Sequence, residues 1–355
     1  MAYIFDEPMS GYTTRTDLPT SGWSVGTTWT YSNTNGRHGV GGLLCNSFGS
    51  SLSRGFTAVT TNDSVYVQFA IKWELGARVN EAAFLTLYND AGTDECLRLI
   101  RMPNNSVRVH NAAGAVAGTS AGVPLVEGVW HVICVKAEIG KNPGLVDVYV
   151  NDLTTPALAL PAVNLTDGVA TGCDMLFFTQ GGNEAGSNYS ISDIFVWSST
   201  AGPTADWDDV IGDKRSYLLL PTAEDGLNEW TPFSGTDNAL MVDDPLTAQY
   251  DSDITYVSIS AANKTDELVL ANLPIGIVGI IGVVSVLSAR KTDAGAEVGA
   301  LSHRIRSAAI PATVATGALT TGYNNYAGMF LLDPDGNVAW TKAKVDALIV
   351  GFKVP

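Results

Sequence analysis

The stretch from Gly128 to Asp152, GVWHVICVKAEIGKNPGLVDVYVND, decides the fold of the N-terminal part of the chain. Apolar and polar residues alternate on both sides of a turn that contains Gly and Pro. Trp130, Val132 and Cys134 share one face of the first run, and the valines of the second run share a face in the same way. A period of two is typical of half-buried β-strands, so the stretch predicts a β-hairpin.

The composition extends this prediction to the whole chain. The 355 residues include 36 glycines and 15 prolines, spread along the full length. No long pattern with the helical period of 3.6 residues interrupts them, which indicates many short strands joined by turns. A chain of this length is also sufficient for two domains that each bury a core of their own.

A second segment also has the pattern of a β-strand. ISDIFVW, from Ile191 to Trp197, reads as a buried strand that is followed by a glycine exit at Gly202. Together with the hairpin, which closes in Tyr-Val-Asn-Asp, it resembles the laminin-G-like or concanavalin A-like jelly roll. The resemblance covers residues 1–203 and implies a sandwich of antiparallel sheets. Jelly rolls have many unrelated roles, so the fold alone indicates no function.

The boundary between two domains is predicted where Gly202 and Pro203 follow this strand, which gives domains of residues 1–203 and 204–355. Several short motifs then follow in a fixed order: Leu220-Pro221-Thr222, Trp230-Thr231-Pro232, Val242-Asp243-Asp244 and Trp340-Thr341. This order resembles the domain that often follows a lectin-like jelly roll in tailed-bacteriophage virion proteins. The resemblance implies a structural role on the outside of a phage particle.

The residues of the second half predict a second β-sandwich by themselves. Ile280–Ala289 and Leu301–Ser307 read as strands around a charged loop, and Ile349–Val354 reads as the final strand. A short amphipathic helix is predicted from Trp340 to Leu348, with Thr341 as its cap. The fold class is therefore all-β, with an N-terminal concanavalin A-like jelly-roll sandwich and a C-terminal β-sandwich domain.

The uncharged segment from Leu268 to Leu287 is long enough for a bilayer span. It contains Pro274, Asn272 and three glycines, and no belt of aromatic residues flanks it. Its β-branched residues instead favour a strand in a sandwich core, and no membrane insertion is expected.

Charge excludes one class of partner. Residues 1–203 carry a net charge of −7 and residues 204–355 carry −9, which account for the total of −16. Both parts repel phosphate backbones, so nucleic-acid binding is not expected. The acidic N-terminal sequence has no basic region before an apolar run, which predicts synthesis in a host cytoplasm without a signal peptide.

No catalytic arrangement is visible in the sequence. Gly118-Thr119-Ser120-Ala121-Gly122 has the form Gly-x-Ser-x-Gly, but Pro124 follows where a nucleophile elbow needs a helix. The four histidines are scattered singly, and no apolar strand carries the paired carboxylates of a glucanase. The sequence therefore predicts a protein that is not an enzyme and has no catalytic residues.

No metal site or cofactor is predicted, with calcium as the alternative. Asp333, Asp335 and Asn337 open like a calcium-binding EF-hand loop, but the Gly and Glu positions of that loop hold Val338 and Lys344. The pairs Asp243-Asp244 and Asp251-x-Asp253 could bind a cation only if their loops meet, which the sequence leaves open.

Aromatic side chains are the candidates for sugar binding, because a ring offers an apolar platform to a pyranose. Trp23, Trp29 and Tyr31 are the first set, and core packing is the favoured alternative for Trp29 and Tyr31. The second set is Asn183, Asn188 and Tyr189, in and beside a Gly-rich loop. The four cysteines are interpreted as buried thiols, with one or two disulfides as the alternative.

The function predicted from sequence is that of a non-catalytic structural protein on the exterior of a tailed-phage virion, as a tail appendage or fibre or as a capsid decoration. Its expected partners are other virion proteins, further copies of the chain in a homo-oligomer, with a trimer as the expected state, and glycans of the host surface. Two alternatives remain: a carbohydrate-binding module and a glycan-cleaving jelly-roll enzyme.

Overall fold

The structure is a computed structural model of the chain. It divides into two units, Met1–Ser216 and Tyr217–Pro355, whereas the sequence predicted a boundary between residues 203 and 204. The residues that the structure describes are 3–7, 23–32, 36–37, 42–45, 51–60, 63–74, 81–89, 94–122, 125–139, 141–166, 172–181, 188–199, 212–243, 254–292 and 300–355.

The described residues of the first unit form short strands throughout. These strands are β1 (Tyr3–Glu7), β2 (Trp23–Val25), β3 (Trp29–Ser32), β4 (Gly42–Cys45), β5 (Ser51–Thr60), β6 (Ser64–Trp73), β7 (Ala82–Asn89), β8 (Asp94–Arg101), β9 (Val107–Asn111), β10 (Val116–Thr119), β11 (His131–Glu138), β12 (Gly144–Val150), β13 (Leu158–Val163), β14 (Gly172–Gly181) and β15 (Tyr189–Ser198).

Two antiparallel sheets hold these strands. The first sheet has eight strands in the order β13-β12-β11-β6-β15-β4-β3, with β1 also paired to β15. The second sheet has seven strands in the order β10-β9-β8-β7-β14-β5-β2. The chain crosses repeatedly between the sheets, as a jelly roll requires, so the predicted jelly-roll fold is confirmed.

Aromatic residues fill the space between the two sheets. Phe69 of the first sheet lies 5.0 Å from Phe178 and 6.3 Å from Phe84 of the second, measured between ring centroids. Trp73 meets Phe84 edge-on at 5.3 Å. Edge-to-face contacts of this kind add to the burial of apolar area, and they place the core of the unit between the sheets.

The two segments that decided the sequence prediction form strands as expected. β11 and β12 pair antiparallel from Ile133–Val150 to Ala137–Val146, which confirms the hairpin. The segment ISDIFVW lies inside β15, whose ten residues are all buried. β15 lies between β6 and β4, so both of its edges are paired within the first sheet.

The second unit is also built from strands. They are β16 (Pro221–Asn228), β17 (Thr231–Pro232), β18 (Val257–Ser258), β19 (Thr265–Leu270), β20 (Val283–Ala289), β21 (Ala300–Ser307), β22 (Ile310–Ala318), β23 (Asn324–Phe330) and β24 (Ile349–Lys353). A 3₁₀ turn covers Ala239–Met241, and the helix α1 covers Lys342–Asp346.

A five-stranded sheet, β16-β19-β24-β21-β22, organises this unit, and β17-β18 and β20-β23 form separate pairs. The predicted strands in residues 280–289 and 301–307 both exist, but β20 pairs with β23 and β21 pairs with β22 and β24. The helix and its cap are confirmed, since the Thr341 hydroxyl accepts a hydrogen bond from the Lys344 amide at 3.3 Å.

A buried carboxylate connects β19 to β21 in the five-stranded sheet. Glu267 is 2% exposed and accepts hydrogen bonds from Arg304 Nε at 2.8 Å and Arg306 Nε at 2.9 Å. Gly351 of β24 is the Cα partner of both Glu267 and Arg304. Because a glycine occupies the middle strand, the two charged side chains can meet across it.

The core strand expected in the β-branched run Ile277–Val286 is present only in part and is only partly buried. β19 ends at Leu270 and β20 begins at Val283. Between them Ile275 is 100% exposed and Val278 is 89% exposed. The break follows from Pro274 and from Gly276 and Gly279, whose positive φ angles of 89° and 66° are turn conformations. Among the described residues, no helix is long and apolar enough to cross a bilayer.

Candidate functional site

One row of side chains crosses all seven strands of the second sheet. Its members are successive cross-strand partners, from β2 to β10: Ser24, Ser53, Phe177, Thr86, Arg98, His110 and Val116. The adjacent positions Leu85, Leu99 and Val109 are fully buried in the core. Because side chains alternate along a strand, the row points away from the core. We call this side of the second sheet the outer face.

Two aromatic rings lie at the middle of the outer face. Tyr88 of β7 is the partner of Glu95 on β8 and of Met175 on β14, one step along the sheet from the row. The Tyr88 ring meets the Phe177 ring at 4.8 Å between centroids, with 66° between their planes. Both residues are partly exposed, so the pair offers solvent an apolar surface.

Beside the rings lies an ion pair. Arg98 donates to Glu95 Oε2, and the side chains are 37% and 14% exposed. Burial raises the pKa of the Glu95 carboxyl, although Arg98 opposes the rise. Burial and then the charge of Glu95 raise the pKa of the Tyr88 phenol, while the charge of Arg98 and its hydrogen bond lower it. Tyr88, Glu95 and Arg98 therefore interact directly.

His110 lies on the other side of Arg98, as its partner on β9. Burial, followed by the positive charges of Arg98 and Arg108, lowers the pKa of the imidazole below 6.5. His110 is therefore neutral at pH 7, and each ring nitrogen can take part in a hydrogen bond.

Two polar atoms of the outer face are buried without a partner. Glu95 Oε1 and His110 Nε2 make no hydrogen bond to any described part of the protein. Buried polar atoms are normally satisfied by protein, water or ligand. The outer face thus combines an aromatic surface with two unused hydrogen-bonding positions, the usual composition of a ligand-binding surface.

The residues predicted from sequence for sugar binding lie elsewhere. Trp23 and Trp29 are 2% and 1% exposed, so their rings pack in the interior, in line with the core alternative for Trp29. Tyr189 is 1% exposed, meets Trp29 edge-on at 5.7 Å and donates its hydroxyl to Thr179 O at 3.0 Å. None of these three rings presents a face to solvent.

The other two predicted residues with a described position are partly buried. Tyr31 lies on β3 and Asn188 directly precedes β15, both in the first sheet. Asn183 lies outside the described residues. The structure thus does not gather the predicted set on one surface.

The remaining sequence motifs have structural roles where they are described. The Ser120 hydroxyl accepts from the Val107 amide at 3.0 Å and is 5% exposed. Asp333 accepts from the Asp335 amide at 3.0 Å, and Lys344 forms ion pairs with both carboxylates. Within the described ranges, no three His, Cys, Asp or Glu side chains are grouped to hold a metal ion. All four cysteines are buried, and none of them forms a disulfide.

Comparison with known proteins finds no matching family model and no matching curated protein. Solved structures with a similar fold include alginate lyase Aly36B in complex with alginate trisaccharide, at 10% identity and a TM-score of 0.39, covering 55% of this chain and 97% of that one. A protein of unknown function with a galectin-like fold from Bacillus subtilis matches at 12% identity and a TM-score of 0.37, covering 56% of this chain and 96% of that one. Endo-1,3-beta-glucanase from Streptomyces sioyaensis matches at 11% identity and a TM-score of 0.37, covering 55% of this chain and 95% of that one.

These findings correct the prediction that the chain is not an enzyme. Glycan-cleaving enzymes, a lyase and a glucanase, are among the structures of similar fold, so the fold gives no ground for excluding catalysis. The exclusion also rested on the absence of a titratable cluster, whereas Tyr88, Glu95 and His110 have shifted pKa values on one surface. At these low identities the likeness concerns the fold and assigns no activity.

Sequence reasoning missed the outer-face residues, although part of the signal was present. In β8 and β9, Glu95, Arg98, Arg108 and His110 interrupt apolar residues at nearly alternate positions. Such alternation predicts one polar face. The contribution of Phe177 had no local signal, because β14 pairs with strands that lie far away in the sequence.

Proposed function

We propose that the first unit binds carbohydrate on the outer face of its second sheet. The observation that carries the proposal is the placement of Glu95 Oε1 and His110 Nε2, buried and unused, beside the Tyr88–Phe177 pair. A pyranose has an apolar face and a rim of hydroxyls. It can therefore cover the rings, and its hydroxyls can pair with both polar atoms once the Glu95 and His110 side chains turn toward it.

The length of the outer face supports an extended ligand. The row spans seven strands, and strands in a sheet lie about 4.8 Å apart, so the outer face extends over roughly 30 Å. Exposed residues end the row on both sides, Ser24 on β2 and Val116 on β10. An oligosaccharide of several units fits this length better than a single sugar.

The proposal is tested by binding measurements on the full chain with a glycan array, followed by titration calorimetry. Phe177→Ala and His110→Ala should each weaken binding at least about fivefold, the equivalent of 1 kcal/mol. Phe233→Ala is a matched control, because Phe233 is 54% exposed and stacks on Tyr256 in the second unit. Unchanged affinity in both test variants would remove the outer face from the function.

We propose further that this binding takes place on the exterior of a tailed-phage virion, as part of a homo-oligomer in contact with other virion proteins and host glycans. What supports it is the resemblance of residues 204–355 to a domain of phage virion proteins, together with the net charge of −16. Immunogold labelling of intact particles tests the proposal. Label on the tail would favour a tail appendage or fibre and label over the head a capsid decoration; unlabelled particles would refute the virion role.

A further inference from the structure

The charges of the outer face are balanced within the protein. Three rows define this face: the row from Ser24 to Val116, the row of Gly55, Met175, Tyr88 and Glu95, and the row of Ile100, Arg108 and Thr119. Among the described residues, these rows carry three charged side chains, Glu95, Arg98 and Arg108, and each is in an ion pair. Arg98 pairs with Glu95, and Arg108 NH1 lies 2.7 Å from Glu81 Oε1.

This balance disfavours an anionic ligand. To bind a carboxylate or sulfate in the usual bidentate way, Arg98 would have to leave Glu95. That change would leave the Glu95 carboxylate, 14% exposed, next to the incoming negative charge. Residues 1–203 have a net charge of −7, which adds a repulsion over longer distances.

The unused polar atoms favour a ligand that donates hydrogen bonds. An ionised Glu95 accepts only, so a ligand group that pairs with Oε1 must donate the hydrogen bond. His110 Nε2 donates or accepts according to its tautomer. A sugar hydroxyl meets both requirements, because it donates one hydrogen bond and accepts others. A carboxylate or sulfate group has no hydrogen to give to Glu95.

Resting on the proposed glycan binding, we infer that the outer face selects neutral oligosaccharides, with Glu95 as the residue that determines this specificity. Glu95 does so in two ways. Its Oε1 accepts a hydrogen bond from a ligand hydroxyl, and its Oε2 occupies Arg98, which would otherwise attract anions.

The experiment uses the full chain on an array of neutral hexose oligosaccharides and of uronate, sialylated and sulfated oligosaccharides of matched length. The hits are then measured by calorimetry at low and high salt. The wild-type protein is expected to bind neutral members with little salt dependence. Glu95→Gln should weaken that binding about tenfold or more, because a charge-assisted hydrogen bond is lost. The same variant should gain salt-sensitive binding to uronate oligosaccharides, because Arg98 becomes free.

Glu138→Gln is the control for this substitution. Glu138 forms a comparable ion pair with Lys141, 3.2 Å away, but belongs to the first sheet. The Glu138→Gln variant should bind neutral and anionic oligosaccharides as the wild-type protein does. If Glu95→Gln does not fold, as judged by thermal unfolding, His110→Gln and the wild-type array decide the matter: His110→Gln should weaken neutral binding without creating anion binding.

The outcomes separate this inference from the proposed function. Wild-type binding to anionic glycans that the outer-face variants weaken would refute neutral selectivity and leave glycan binding intact. Neutral binding that neither Glu95→Gln nor His110→Gln changes would refute the role of this face. No binding to any glycan at millimolar concentration would overturn both.

Discussion

Asp193 provides a prediction whose size can be calculated from the structure. It lies at a β-bulge of β15, has a φ of 51° and is 3% exposed. Its Oδ2 accepts from the Ser192 hydroxyl at 3.1 Å, whereas its Oδ1 has no hydrogen-bond partner among the described residues. Burial raises the pKa of the carboxyl from 3.8 to about 6, against the opposing effects of Ser192, Arg37 and Arg215.

The folded protein therefore binds a proton at Asp193 more tightly than the unfolded chain does. The contribution of this group to stability is fully present below pH 3.8 and is lost as the pH rises through 6. A shift of about 2 units corresponds to about 3 kcal/mol. Asp193→Asn removes the charge and keeps the shape, and Asn tolerates a positive φ. The variant should be more stable at pH 8 by as much as about 3 kcal/mol and gain little at pH 4.

Urea unfolding followed by tryptophan fluorescence at pH 4, 6 and 8 measures this effect. Asp152→Asn is the control, because Asp152 is exposed and its carboxylate accepts bonds from Thr154 that an Asn oxygen can also accept. A gain of the same size at pH 4 and pH 8, or no gain at pH 8, would show that ionisation of Asp193 does not oppose folding.

Two further predictions concern the second unit. Gly351→Ala should destabilise it by about 3 kcal/mol or more, because the added Cβ would lie 1.9 Å from the backbone oxygen of Asp266. Gly317→Ala, with no atom within 4 Å of the added Cβ, is the matched control, and equal thermal stability of the two variants would contradict the reasoning. His303 is fully buried, and burial lowers the pKa of its imidazole from 6.5 to about 4. The contribution of His303 to the free energy of unfolding is fully present above pH 6.5, and about 3 kcal/mol is lost as the pH falls through 4. Nuclear magnetic resonance titration should show a neutral ring at pH 5; a midpoint near 6.5 would refute this.

The sequence predicted the elements whose signal is local. The hairpin β11–β12, the buried strand β15 and the Thr341 cap each depend on residues within about 25 positions of one another. The strand expected from Ile277 begins only at Val283, because Gly276 and Gly279 adopt turn conformations that the apolar composition of the segment does not indicate.

The candidate site could not be predicted from the sequence, for a different reason. Thr86 and Phe177 become neighbours only through the pairing of β7 with β14, and no local pattern specifies that register. The burial of Trp29 and Tyr189 shows a second limit of prediction from sequence. An aromatic residue on a strand can face the core or the solvent, and which side it takes depends on the sheet that forms opposite it.

The position of β15 affects how the first unit can be synthesised. β15 is the last described strand of that unit in the chain, yet it lies between β6 and β4 and also pairs with β1. On the ribosome, β6 and β4 stay without their shared neighbour until Ser198 has emerged. At about 5–20 residues per second, the 125 residues from Trp73 to Ser198 take on the order of 6–25 seconds. The nascent chain must keep two apolar strand edges apart from other chains for this time, so chaperone supply and translation speed should control the yield of folded protein.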